Sequence, residues 1–124
     1  MKTILKTIFC FLALATTLSA CYYDEIAGFE GLPANASFKN DVSPILVNNC
    51  TAAGCHDAQG SHKPILVAES AYNELIQGNY LNTIEPAKSH LYVELNSGMP
   101  PAGPLSVNEM KIILGWITDG AKNN

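Results

Sequence analysis

The sequence predicts an all-α domain of short helices joined by long loops. Three observations carry this. No segment alternates apolar and polar residues well enough to form a strand. Residues 105–120 hold a complete set of helix start, stripe and stop signals. Elsewhere, glycine and proline interrupt the periodic stretches before they grow long. A length of 124 residues allows one domain, and 48% hydrophobic with 15% charged residues excludes a highly charged disordered chain. Seven lysines, no arginine and eleven acids give a charge of −4. That argues against a nucleic-acid-binding surface, which needs clustered cations.

Residues 1–20 read as an address. Lys2 and Lys6 precede an apolar run from Ile8 to Ala15, too short for a bilayer span but right for a secretory leader. Leu18-Ser19-Ala20-Cys21 resembles the lipobox of bacterial lipoproteins. The resemblance implies cleavage before Cys21 and lipid on its sulfur, hence a membrane anchor in a bacterial cell envelope. Tyr22 is not the aspartate that retains many lipoproteins in the inner membrane, so the outer membrane is the expected address. Cleavage leaves 104 residues with five lysines against eleven acids, a charge of −6. Residues 21–36 lack any period and read as a flexible tether.

The domain proper is expected over 37–124. Asp41 is a candidate N-cap for a helix from Val42 to Asn49, with Pro44 tolerated in its first turn. Residues 57–69 read as irregular. Ser70 is placed to cap a helix stopped by Gly78, and Ser89 to cap another closed by Gly98. Met99-Pro100-Pro101 with Gly103 and Pro104 forms a stiff loop. Ser106 and Glu109 then make a capping box, and Leu105 with Met110 a hydrophobic staple across it. Val107, Met110, Ile113, Leu114 and Ile117 give one apolar stripe, widened by Trp116 and ended by Gly120. The loop content is too high for a self-sufficient bundle. A small domain of this kind gains from a disulfide, a metal or a buried cofactor.

Cys50-Thr51-Ala52-Ala53-Gly54-Cys55-His56 is the segment with chemistry. Two thiols can add to the two vinyl groups of a haem, and a histidine directly after the second thiol can ligate the iron. The usual spacing is two residues between the cysteines; here it is four. The small residues Thr51 to Gly54 can bulge out between two fixed attachment points. A disulfide between Cys50 and Cys55, or zinc on two Cys and some of the three His, are the other readings of these residues.

The wider order of residues adds a resemblance. Phe38, Asp41, Val42, Pro44, Ile45 and Leu46 lead into the cysteines. Ser89, Leu91, Tyr92 and Leu95 lead into Met99-Pro100-Pro101, and Trp116-Ile117 and Asp119-Gly120-Ala121 close the chain. This order, from about Ser37 to Asn123, resembles the small c-type cytochrome domains of Planctomycetes and Bacteroidetes secreted proteins. The resemblance implies a cytochrome c-like fold around one covalently attached haem c, and an electron carrier rather than an enzyme. It makes His56 the proximal iron ligand, its other ring nitrogen bonded to a carbonyl that the Pro64 loop could supply. Met99 becomes the distal ligand, with His90 and His62 as alternatives. The helix before Cys50 is expected to meet the C-terminal helix, with Val42 and Leu46 near Trp116. A haem enzyme or gas sensor with an open sixth site, and a haem-free disulfide-stapled interaction module, are the rival functions. The acidic charge favours a redox partner protein with a basic docking face.

Overall fold

The structure is a computed structural model that describes residues 31–124. The expected leader, the lipidation candidate Cys21 and most of the tether lie outside the described residues. Within them every regular element is helical, as the sequence predicts. A π-helical turn, Phe38–Val42, runs into α1, Ser43–Cys50. Then follow α2, Ala71–Gln77; a 3₁₀ turn, Pro86–Lys88; α3, His90–Ser97; and α4, Val107–Thr118.

The first helical segment begins earlier than expected, and Asp41 is not its N-cap. Ser37 is: its Oγ accepts the Asn40 amide at 3.2 Å. Asp41 lies inside the turn and its carboxylate accepts the Ser37 amide at 2.7 Å. The arrangement resembles a capping box, with the Ser37 hydroxyl on the Asn40 amide but the returning carboxylate one residue further on, at Asp41. The wider spacing goes with a wider turn, in which the Val42 amide donates to the Ser37 carbonyl at 3.1 Å.

α2 and α3 lie where glycine stops and serine starts placed them, but the serines do not cap. The Ser70 hydroxyl is 3.5 Å from the Ile65 carbonyl. The fully buried Ser89 hydroxyl accepts the Asn82 amide at 2.8 Å and donates to the Asn82 carbonyl at 3.3 Å. Both hydroxyls fasten the preceding loop instead of the helix.

α4 has its capping box: Ser106 Oγ accepts the Glu109 amide at 3.2 Å, and Glu109 Oε2 accepts the Ser106 amide at 2.8 Å. The apolar stripe is shorter than the periodicity suggests. Val107 is 75% exposed, while Ile113, Leu114, Trp116 and Ile117 are buried. Leu105 and the partly buried Met110 supply the apolar contact at this end.

α4 packs against the π turn, the 3₁₀ turn and α3. Phe38 stands 5.2 Å from Trp116 and 5.2 Å from Tyr72, ring centre to ring centre. Val42, Leu46 and Trp116 are fully buried in one cluster, so the first helical segment meets the last as expected, chiefly through the π turn.

The end of the expected tether is also fastened to α4. The Asn35 amide donates to Asp119 Oδ2 at 2.7 Å, and Ala36 is buried. The Pro33 carbonyl lies so close that a Cβ on Gly115 would come within 2.7 Å of it, which explains a glycine in mid-helix. The flexible reading of residues 21–36 therefore does not extend over Pro33 to Ala36.

Candidate functional site

Core packing fixes α1 through the fully buried Leu46, and its last turn delivers Cys50 to the wall of a cavity of about 530 Å³. Cofactor and ligand cavities are typically 300–1,000 Å³. Beyond Cys50 the chain doubles back. The Cys55 amide donates to the Ala52 carbonyl at 2.9 Å, and the His56 amide to the Cys50 carbonyl at 3.1 Å. The four residues between the cysteines are thus held out as a bulge, with Gly54 in the left-handed region at φ +83°. A side chain would strain that conformation.

Asp57 organises the bulge from behind. Its Oδ2 accepts the Gly54 amide at 2.8 Å, and its Oδ1 faces the Ser61 hydroxyl at 3.3 Å. The amides of Ser61 and Gln59 add to this. These donors, the Gly54 amide foremost, hold the Asp57 carboxyl below its ordinary pKa. Sequence reasoning missed this residue. Its signal is an aspartate followed by Gly60 and Ser61, a turn spacing in which a carboxylate collects nearby amides.

His56 Nδ1 stands 2.8 Å from the Pro64 carbonyl oxygen. A carbonyl only accepts, so Nδ1 is the donor, and in the neutral ring Nε2 keeps its lone pair. Pro64 is clamped on both sides by one carboxylate. Glu74 Oε2 accepts the Ile65 amide at 3.2 Å, and Glu74 Oε1 pairs with Lys63 Nζ at 2.8 Å. Lys63 holds the Glu74 carboxyl below its ordinary pKa, with the Ile65 amide helping. No local pattern announces Glu74, because its partners lie in the preceding loop.

The cavity brings Cys50, Cys55, His56 and Met99 together. Leu66, Leu91 and Leu95 contribute apolar wall, and Pro100 and Pro101 continue it beside Met99. Met99 is 41% exposed although its neighbours make it an apolar residue of the lining. His90 and His62 line the same cavity, so all three candidates for a second axial ligand reach it. His90 opens α3 as an exposed residue, stacked on Tyr80 at 5.4 Å and 3.3 Å from Glu94. His62 lies 6.5 Å from His56, ring to ring.

Cys50 and Cys55 are free thiols. Burial, aided by the neighbouring Cys55, pushes the Cys50 thiol up to about 11, so at neutral pH it keeps its proton. No group of three or more His, Cys, Asp or Glu among the described residues is arranged to hold a bare metal ion. The lining offers two thiols, the imidazoles of His56, His62 and His90, and the Met99 thioether, around an apolar space. Thiols for covalent attachment, an imidazole and a thioether are residue types that a haem would use. No helix among the described residues is long and apolar enough to cross a membrane. Comparison with protein-family models, curated proteins and solved structures returns no match.

Proposed function

We propose that this chain is a lipid-anchored monohaem c-type cytochrome, an electron carrier with a cytochrome c-like domain over residues 37–124. One observation supports the reading above others. The His56 ring is oriented by a backbone carbonyl so that its free nitrogen remains available, and it shares a cavity with Cys50, Cys55 and Met99. When bound, haem would supply the one-electron chemistry. The chain's own residues do the rest. Cys50 and Cys55 would hold the group covalently, and His56 Nε2 would ligate its iron. The Pro64 carbonyl fixes that imidazole's tautomer and angle, as outer-shell partners do at metal sites. The Met99 thioether would be the second protein ligand, excluding exogenous ligands and raising the potential. Leu66, Leu91 and Leu95 give the site an apolar wall, and the net negative charge favours a partner with a basic docking face.

In this reading Cys21 carries lipid and keeps the domain at the cell envelope, with the outer membrane as its address. Two or more acyl chains are needed for stable anchoring, at about 0.8 kcal/mol per buried CH₂. The reading is tested by the absorption spectrum of the chain matured in a haem-attaching host. Sharp low-spin bands in the reduced form are expected. A chain that matures and folds without any haem absorption would overturn it.

A further inference from the structure

We infer that Asp57 is the positioning residue that lets a four-residue bulge present both thiols for double haem attachment. The inference rests on the haem reading above and deepens it. Two thioethers require two sulfurs at one fixed separation, because the two vinyl groups sit on a rigid ring. Two residues between the cysteines leave the loop few conformations. Four residues leave more, and each added freedom lowers the fraction of chains with the second sulfur in place.

The structure supplies a remedy for that freedom. Asp57 is 7% exposed, and its hydrogen-bond donors are neutral: the Gly54, Gln59 and Ser61 amides and the Ser61 hydroxyl. Its two oxygens take donors from both sides of the motif: the Gly54 amide within the bulge, and Ser61 beyond the histidine. Gly54 directly precedes Cys55, and Asp57 directly follows His56, so the carboxylate brackets the second half of the motif. Cys50 needs no such help, being the last residue of α1.

The attachment step itself is balanced without an oxidant. Each Sγ–H adds across a vinyl C=C: the S–C bond forms, the hydrogen goes to the other vinyl carbon, and the S–H and π bonds are lost. Asp57 takes no part in the chemistry. It raises the population of chains in which Cys55 is ready to add after Cys50 has done so.

The test counts thioethers per chain by mass spectrometry of haem-bearing peptides, with the reduced pyridine haemochrome band as a second readout. Wild type should carry two. Asp57→Ala should raise the fraction with one thioether several-fold, the survivor being on Cys50. Deleting Ala52 and Ala53 in the Asp57→Ala background restores the two-residue spacing and should restore double attachment. A purely structural role would not give that rescue. Should Asp57→Ala fail to accumulate, Asp57→Asn and Ser61→Ala carry the same comparison, each removing part of the bracket. Double attachment at wild-type level in these variants would overturn the inference, as would single attachment on Cys55. A wild type with no thioether at all would instead overturn the haem reading beneath it.

Discussion

Replacing Met99 by alanine separates an iron ligand from a packing residue. Burying a methionine side chain fully is worth about 1.5–3 kcal/mol. Met99 is 41% exposed, so as a packing residue it contributes only about 1–2 kcal/mol, and its loss should be mild. As a ligand it does something packing cannot. Each tenfold preference for ferrous over ferric iron raises a one-electron potential by ~59 mV. Losing a thioether with a hundredfold preference would lower the potential by ~120 mV on the same conversion. The assay is a redox titration of Met99→Ala beside wild type, with carbon monoxide binding to the ferrous form and denaturant unfolding as companions. The expected variant is folded, high-spin or water-ligated, open to carbon monoxide and clearly lower in potential. Met99→His should stay six-coordinate, also at lower potential. A Met99→Ala protein with the spectrum, potential and ligand resistance of wild type would refute the assignment and move attention to His90.

Gly115→Ala drives a Cβ to within 2.7 Å of the Pro33 carbonyl, and overpacking of this kind costs about 1–3 kcal/mol, readable as a lower denaturation midpoint. No change would mean that Pro33 to Ala36 is not docked on α4. The Ser106 hydroxyl and amide hold the Glu109 carboxyl below its ordinary pKa. A depressed folded-state pKa gives stability that is present above the unfolded value and lost as pH falls through the folded one. Wild type should therefore exceed Glu109→Gln in urea midpoint at pH 7, and the gap should close below the ordinary glutamate range; a gap independent of pH would contradict the capping account. Cys21→Ser should release the protein from membranes or block its processing, and wild type that is soluble with no acyl mass on its N-terminal peptide would dismiss the anchor.

Local signals were legible to different depths. α4 could be read because Ser106, Glu109, Leu105 and Met110 act on one another within a single turn. The ends of α2 and α3 could be read because a glycine stops a helix whatever surrounds it. Ser70 and Ser89 misled because a hydroxyl beside a helix start can equally well fasten a neighbouring loop, and tertiary contacts decide which. The Ser37–Asp41 pair was missed because its spacing belongs to a wider turn than the usual capping box. Val107 fits the stripe by angle, yet no other element among the described residues covers it. At the site, the thiols, His56 and Met99 announce themselves by chemistry, and the cavity brings them together. The Pro64 carbonyl was within reach of sequence reasoning because it lies in the loop just after the histidine. Asp57 and Glu74 were not recognised, since their roles depend on which amides the folded loop turns toward them.

The proposed function requires that Cys50 and Cys55 hold haem covalently and that His56 ligate its iron. Extraction with acid and organic solvent tests it most directly, on protein matured in a haem-attaching host. Haem should stay with the denatured chain, adding the mass of one haem to the peptide containing Cys50 to His56. Haem that leaves freely into the solvent, with that peptide at its unmodified mass, would contradict the account.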